Sequence, residues 1–124
     1  MAFHEDILGR ARGNAFFREV VSTGPHAQVV LMSIPPGGEI GEEVHEDLDQ
    51  VLVFVEGEGA AVIEGERSAV SAGHLVHVTA GTRHNFVNDG TADLKLYTVY
   101  APPHHAHGTI HRTKAEADAA EESA

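Results

Sequence analysis

Residues 35–59 read PPGGEIGEEVHEDLDQVLVFVEGEG and place Glu43, His45 and Gln50 between a glycine-rich turn and a run of Val, Leu and Phe. A carboxylate, an imidazole and an amide oxygen are all metal donors, and here they stand at the mouth of an apolar segment. Successive side chains of a strand point to opposite faces, so Glu43 and His45 share one face, and Gln50, Leu52 and Phe54 share a face of the next strand. A second stretch, GHLVHVTAGTRHNFVN, puts His84 just after a tight turn with Phe86 and Asn88 on its own side. Two readings stay open at this point. Either the side chains hold a metal, or a His–Glu pair and water satisfy one another in a pocket kept for its fold.

The elements that must position these groups are strands. Residues 28–34, 50–55, 60–63, 75–79, 84–88 and 94–100 are β-branched or apolar runs separated by Gly-, Pro- and Asn-rich turns. That spacing is the pattern of an all-β sandwich or barrel. Before it, residues 7–18 suit a short helix or a loop, and 16–21 a weak edge strand. After Pro102-Pro103, Thr113-Lys114-Ala115-Glu116 has the form of a helix capping box, which predicts a short helix from about Lys114. Ser68 and Ser71 fall in a turn region with no interpretable His and Asp partners, so no nucleophile is assigned.

Composition narrows the classes. With 124 residues the chain suits one domain, 1–124, with a barrel core at about 26–101, an N-terminal arm at 1–25 and a tail at 102–124. The absence of cysteine excludes disulfides, thiolate metal sites and Cys nucleophiles. A net charge of −11 repels phosphate backbones and anionic lipid, so neither nucleic acid nor membrane is an expected partner. No signal peptide or apolar span is visible, and a cytoplasmic location is expected.

The two stretches resemble the cupin family, whose first motif is G-x5-H-x-H-x3,4-E-x6-G and second G-x5-P-x-G-x2-H-x3-N. Here the first becomes Gly37-x5-Glu43-x-His45-x4-Gln50-x6-Gly57, the second Gly73-x5-Thr79-x-Gly81-x2-His84-x3-Asn88. The chain looks most like small single-domain cupins described as mannose-6-phosphate-isomerase-like. The resemblance implies a double-stranded β-helix, or jelly roll, with the metal positions falling on Glu43, His45, Gln50 and His84. Compared with the family pattern, the first histidine is replaced by Glu43, the glutamate by Gln50 and the proline by Thr79. One negative charge among four donors is kept but moved. Two imidazoles and one carboxylate suit one divalent transition metal ion, with Fe, Mn, Ni, Cu and Zn all admissible.

The function this implies is a small-molecule enzyme acting on an enolisable carbonyl or sugar-like substrate, by isomerase, lyase or dioxygenase chemistry. Glu43 or a bound water would move the proton, with Glu43 the candidate catalytic residue, and Phe54, Phe86, Tyr97 and Tyr100 are candidate pocket residues. Tyr97 and Tyr100 lie on opposite faces of the last strand, so one of them is expected to reach the pocket. Arg83 adjoins His84 and must point to the other face, which disfavours a phosphosugar. The alternative is a non-catalytic module that binds a small ligand or senses metal. Val51, Val53 and Val55 face away from Gln50 yet are apolar, and their expected cover is a second subunit in a homodimer or the chain's own N-terminal arm. His74 and His77 are expected to be structural or partly exposed, and His104, His105, His107 and His111 to lie in a solvated tail.

Overall fold

The computed structural model describes residues 2–122. Nine strands run in chain order: β1 (Arg18–Thr23), β2 (Gln28–Ile34), β3 (Asp49–Glu56), β4 (Glu58–Ile63), β5 (Glu66–Ser71), β6 (Leu75–Val78), β7 (His84–Val87), β8 (Leu94–Ala101) and β9 (Ile110–His111). Helix α1 (Ile7–Gly13) precedes them and α2 (Lys114–Glu122) follows. A six-stranded sheet, β6-β3-β8-β2-β1-β9, faces a three-stranded sheet, β5-β4-β7. All ladders are antiparallel, as a jelly roll requires.

Strict alternation builds the core. Leu94, Leu96, Thr98 and Tyr100 of β8 are buried while the residues between them are half-exposed. Leu52 and Phe54 of β3 and Val30, Met32 and Ile34 of β2 meet Phe86 of β7 in the same cluster. Each such large side chain removed from water contributes about 1.5–3 kcal/mol. Asn88 closes one end, donating to the carbonyls of Ile34 and Ala92, both at 2.8 Å, and accepting from the Gly90 amide at 2.9 Å. At Gly57 φ is +91° and a Cβ would collide with the Asp93 carbonyl oxygen, so the β3–β4 reversal needs glycine.

Two strands depart from expectation. Residues 66–71 form β5, paired in regular register with β4 from Ile63↔Glu66 to Glu58↔Ser71, rather than a turn. Only Val70 of β5 is buried, so no apolar alternation announces it. The β1 strand is not at the edge either, because the two-residue β9 lies outside it.

The arm and the tail are both docked. Asp6 caps α1 by accepting from the Gly9 amide at 3.1 Å. Ala11, with Ile7 one turn before it, then packs on Leu31, Val55, Val21 and Tyr97, on the outer face of the six-stranded sheet. That face is therefore covered in part by the chain itself. In the tail, the expected capping residue accepts from the Glu116 amide, at 3.1 Å from Thr113 Oγ1, and Ala117 of α2 joins the main core. Among the described residues, no helix is long and apolar enough to cross a membrane.

Candidate metal centre

Backbone pairing brings the first three candidates together. Residues 39–43 run along the free edge of β7, with bridges at Glu39↔Val87 and Glu43↔His84. Glu43 and His84 exchange both amide–carbonyl hydrogen bonds at 2.9 Å, so they are direct cross-strand neighbours whose side chains rise on one face. His45, two residues on, follows on that face, and its carbonyl is held by the Gly81 amide at 2.7 Å. The glycine turn preceding β7 thus fixes both histidines.

The side chains meet accordingly. Glu43 Oε2 lies 3.2 Å from His45 Nε2, and the rings of His45 and His84 are 5.5 Å apart. Burial alone would push the Glu43 carboxyl up. The contact with and charge of His45, together with the more distant Arg18 and His84, outweigh it and hold the pKa below the ordinary carboxylate range. His84 is buried, and its Nδ1 sits 2.9 Å from the Thr82 carbonyl. A carbonyl only accepts, so Nδ1 carries the proton and Nε2 presents a free lone pair.

Gln50 stands at the start of β3 in the opposite sheet, 3% exposed. Its Nε2 donates to Thr98 Oγ1 at 3.0 Å, which fixes the amide and leaves Oε1 buried without a partner among the described residues. Tyr100 is its cross-strand neighbour and also lies 6.3 Å, ring to ring, from His45. His45 Nε2 is likewise buried without a true hydrogen bond, because its approach to Glu43 is close but badly aligned. Buried polar atoms are almost always paired, so an orphaned amide oxygen and an orphaned imidazole nitrogen in one region mark missing company. Both are lone-pair donors of the kind a divalent transition metal accepts. No three His, Asp or Glu side chains among the described residues are drawn close enough to hold an ion as they stand.

The other expected residues separate cleanly. Phe54 and Phe86 are wholly buried, 5.6 Å apart, and Phe86 lies 6.1 Å from His84, so the pair forms an apolar floor. Tyr100 is on the inward face, whereas Tyr97 packs outside with Ile7 and Val21. Burial pushes the Tyr100 phenol upward, which keeps it a neutral donor. Arg83 points away, to Glu42 at 3.1 Å. His77 pairs with Asp49 at 3.3 Å on the surface, and His74 lies near Ser71.

The expectation of a solvated tail is corrected in part: His104 and His107 are exposed, but His105 and His111 are half-buried and the segment is docked. Gln28, wholly buried on β2, accepts from the amides of His104 (3.2 Å) and His105 (3.0 Å). It donates to the His105 carbonyl (2.7 Å) and to Thr23 (3.0 Å). Three of these four hydrogen bonds therefore pin residues 104–105 over the barrel end. The His104 ring sits 4.7 Å from His45 and stacks at 5.6 Å on Tyr100. His111 faces Arg18 and His107 faces Thr23.

The Cupin_2 profile, described as Cupin domain, matches residues 30–100. The chain belongs to the cupin family. The crystal structure of BH2720 from Bacillus halodurans is similar over 96% of this chain and 95% of that one, at 42% identity and a TM-score of 0.94. Uncharacterized protein YrkC of Bacillus subtilis is 43% identical over 126 residues, 97% of this chain and 68% of that protein. Uncharacterized protein L612 of Acanthamoeba polyphaga mimivirus is 37% identical over 101 residues, 78% of this chain. The chain spans 68% and 63% of the length of these two relatives.

Proposed function

We propose that this cupin is a metal-dependent enzyme acting on a small molecule with an enolisable carbonyl, with Glu43, His45, Gln50 and His84 as the residues that would hold one divalent transition metal ion. The observation that carries this reading is the pair of orphaned buried donors, Gln50 Oε1 and His45 Nε2, beside a carboxylate and an imidazole with a fixed tautomer. Such an ion would supply Lewis-acid polarisation of a carbonyl oxygen, or dioxygen chemistry if redox-active.

The chain's own groups supply the rest. Glu43 is ionised and partly open to solvent, which suits it to take a proton from a carbon next to the carbonyl. Tyr100, neutral and on the inward face, can donate to a substrate oxygen. Phe54 and Phe86 exclude water from below. Proton exchange tests this reading. Metal-loaded protein in deuterated water should exchange the α-protons of a matching 2-oxo or 3-oxo compound, with exchange abolished by chelator and by Glu43→Gln. Tight binding of such compounds with neither exchange nor product would favour a non-catalytic ligand-binding module.

The same reading extends to assembly as a homodimer. The α1 helix covers only part of the outer face of the six-stranded sheet, and Leu75 of the edge strand β6 stays 60% exposed opposite Val53.

A further inference from the structure

Beside the candidate metal centre lies a cavity of about 300 Å³ between the barrel end, the pinned tail and α2, walled by Arg18, His104, His105, Thr109, His111 and Glu121. Arg18 shares the inward face of β1 with Val20 and is only 4% exposed. Cross-strand pairing with His111 sets its Nη1 3.2 Å from His111 Nδ1. Among the described residues its Nε has no hydrogen-bond acceptor. No described carboxylate lies within ion-pair distance of Arg18. His105, on the same wall, has a buried Nε2 that is equally without a partner among the described residues.

A guanidinium cannot shed its proton, so a buried one is stable only beside an anion or a set of strong acceptors. Among the described residues, one imidazole nitrogen, that of His111, is its hydrogen-bond acceptor, and the Phe17 ring lies 5.3 Å from the guanidinium carbon. The guanidinium is a planar fork, the geometry that matches a carboxylate. Arg18 and His105 both line one cavity that is large enough for a small organic acid. The net charge of −11 makes the arrangement more selective, since the surface repels anions and only a specific contact can retain one.

We propose that Arg18 and His105 form an anion subsite that takes the carboxylate of a small organic acid. It deepens the preceding reading in one respect: it makes the substrate a carboxylic acid whose reactive end lies toward Glu43 and His45. His104, 4.7 Å from His45 and on the cavity wall, is the shared partition. A carboxylate is favoured over a phosphate monoester by shape, because its two coplanar oxygens match one edge of the planar guanidinium. Glu121, on the same wall, repels an anion of either kind.

The test uses chelator-treated full-length protein, so that its outcome is independent of metal. Malonate and inorganic phosphate are titrated calorimetrically at ionic strength matched with chloride. Malonate should bind saturably, one per chain, and raise the melting temperature. Arg18→Met should weaken it by about 30-fold or more, the effect of losing one partner of a buried charge pair. Without malonate that variant should melt no lower than wild type, because an unpaired buried charge has been removed. Should Arg18→Met misfold, Arg18→Lys and His105→Ala serve instead, each weakening malonate while leaving the fold intact. Glu121→Gln should bind malonate as well or better. Absence of saturable binding to wild type, or binding indifferent to Arg18 and His105, would overturn the subsite. Phosphate binding more tightly than malonate would overturn the carboxylate assignment. Loss of melting temperature and of binding in Glu121→Gln would instead make Glu121 the partner of Arg18, and the proposal would fall.

Discussion

Burial governs the protonation of His105. Its ring packs edge-on against Tyr100 at 5.1 Å and His104 at 4.8 Å. Burial foremost, then the Arg18 guanidinium and the neighbouring His104, His111 and His45, push its pKa down to about 3 from the ordinary 6.5. Between those values the unfolded chain takes up a proton that the folded chain refuses. Stability is therefore complete above about pH 6.5 and falls as pH drops toward 3. His105→Gln removes that one proton. Urea melts from pH 7 to 5 should show a shallower loss of stability in the variant than in wild type, and parallel curves would contradict the assignment. At this scale the sequence was only partly legible. Glu43, His45, Gln50 and His84 were expected from the resemblance to the cupin motifs, and pairing of residues 43 and 84 brings the first, second and fourth close together. Arg18 and His105 did not show, because their importance lies in what they lack. An unpartnered donor becomes visible only when residue 28 is seen to hold residues 104–105, 76 and 77 positions away.

Elements with one clearly apolar face were readable. The strands β2, β3, β7 and β8 and the capping box of α2 came out within a residue or two, since each carries alternation or a cap. The strand β5 did not, since only Val70 in it is buried and both its faces otherwise meet solvent. The strand β9 is two residues long and exists only by docking on β1. The outer valines of β3 announced a need for cover, which α1 meets at Val55 but not at the β6 end. Leu75, exposed beside half-buried Val53 and Val51, would lie at the centre of the proposed subunit contact. A stable interface of this kind buries about 800 Å² per partner. Sedimentation should accordingly show a dimer for wild type and a monomer for Leu75→Lys, with the fold intact. A monomeric wild type at all concentrations would remove the dimer from the account.

Across the whole molecule, the jelly roll does one thing for function. Its three-stranded sheet, through β7 and the 39–43 edge, presents a carboxylate and two imidazoles, and its six-stranded sheet presents Gln50, Thr98 and Tyr100 toward them. The tail then packs over that end, with Glu43 still partly open to solvent and His104 exposed. Buried polar atoms need partners, and under the proposed function a bound ion would be one. The measurement that tests this most directly is elemental analysis of protein purified without chelator, beside Glu43→Ala and His84→Ala. About one transition-metal ion per chain in wild type, reduced ~10-fold or more in both variants, is the predicted result. Equal metal content in all three proteins, or none in wild type even after loading, would contradict it.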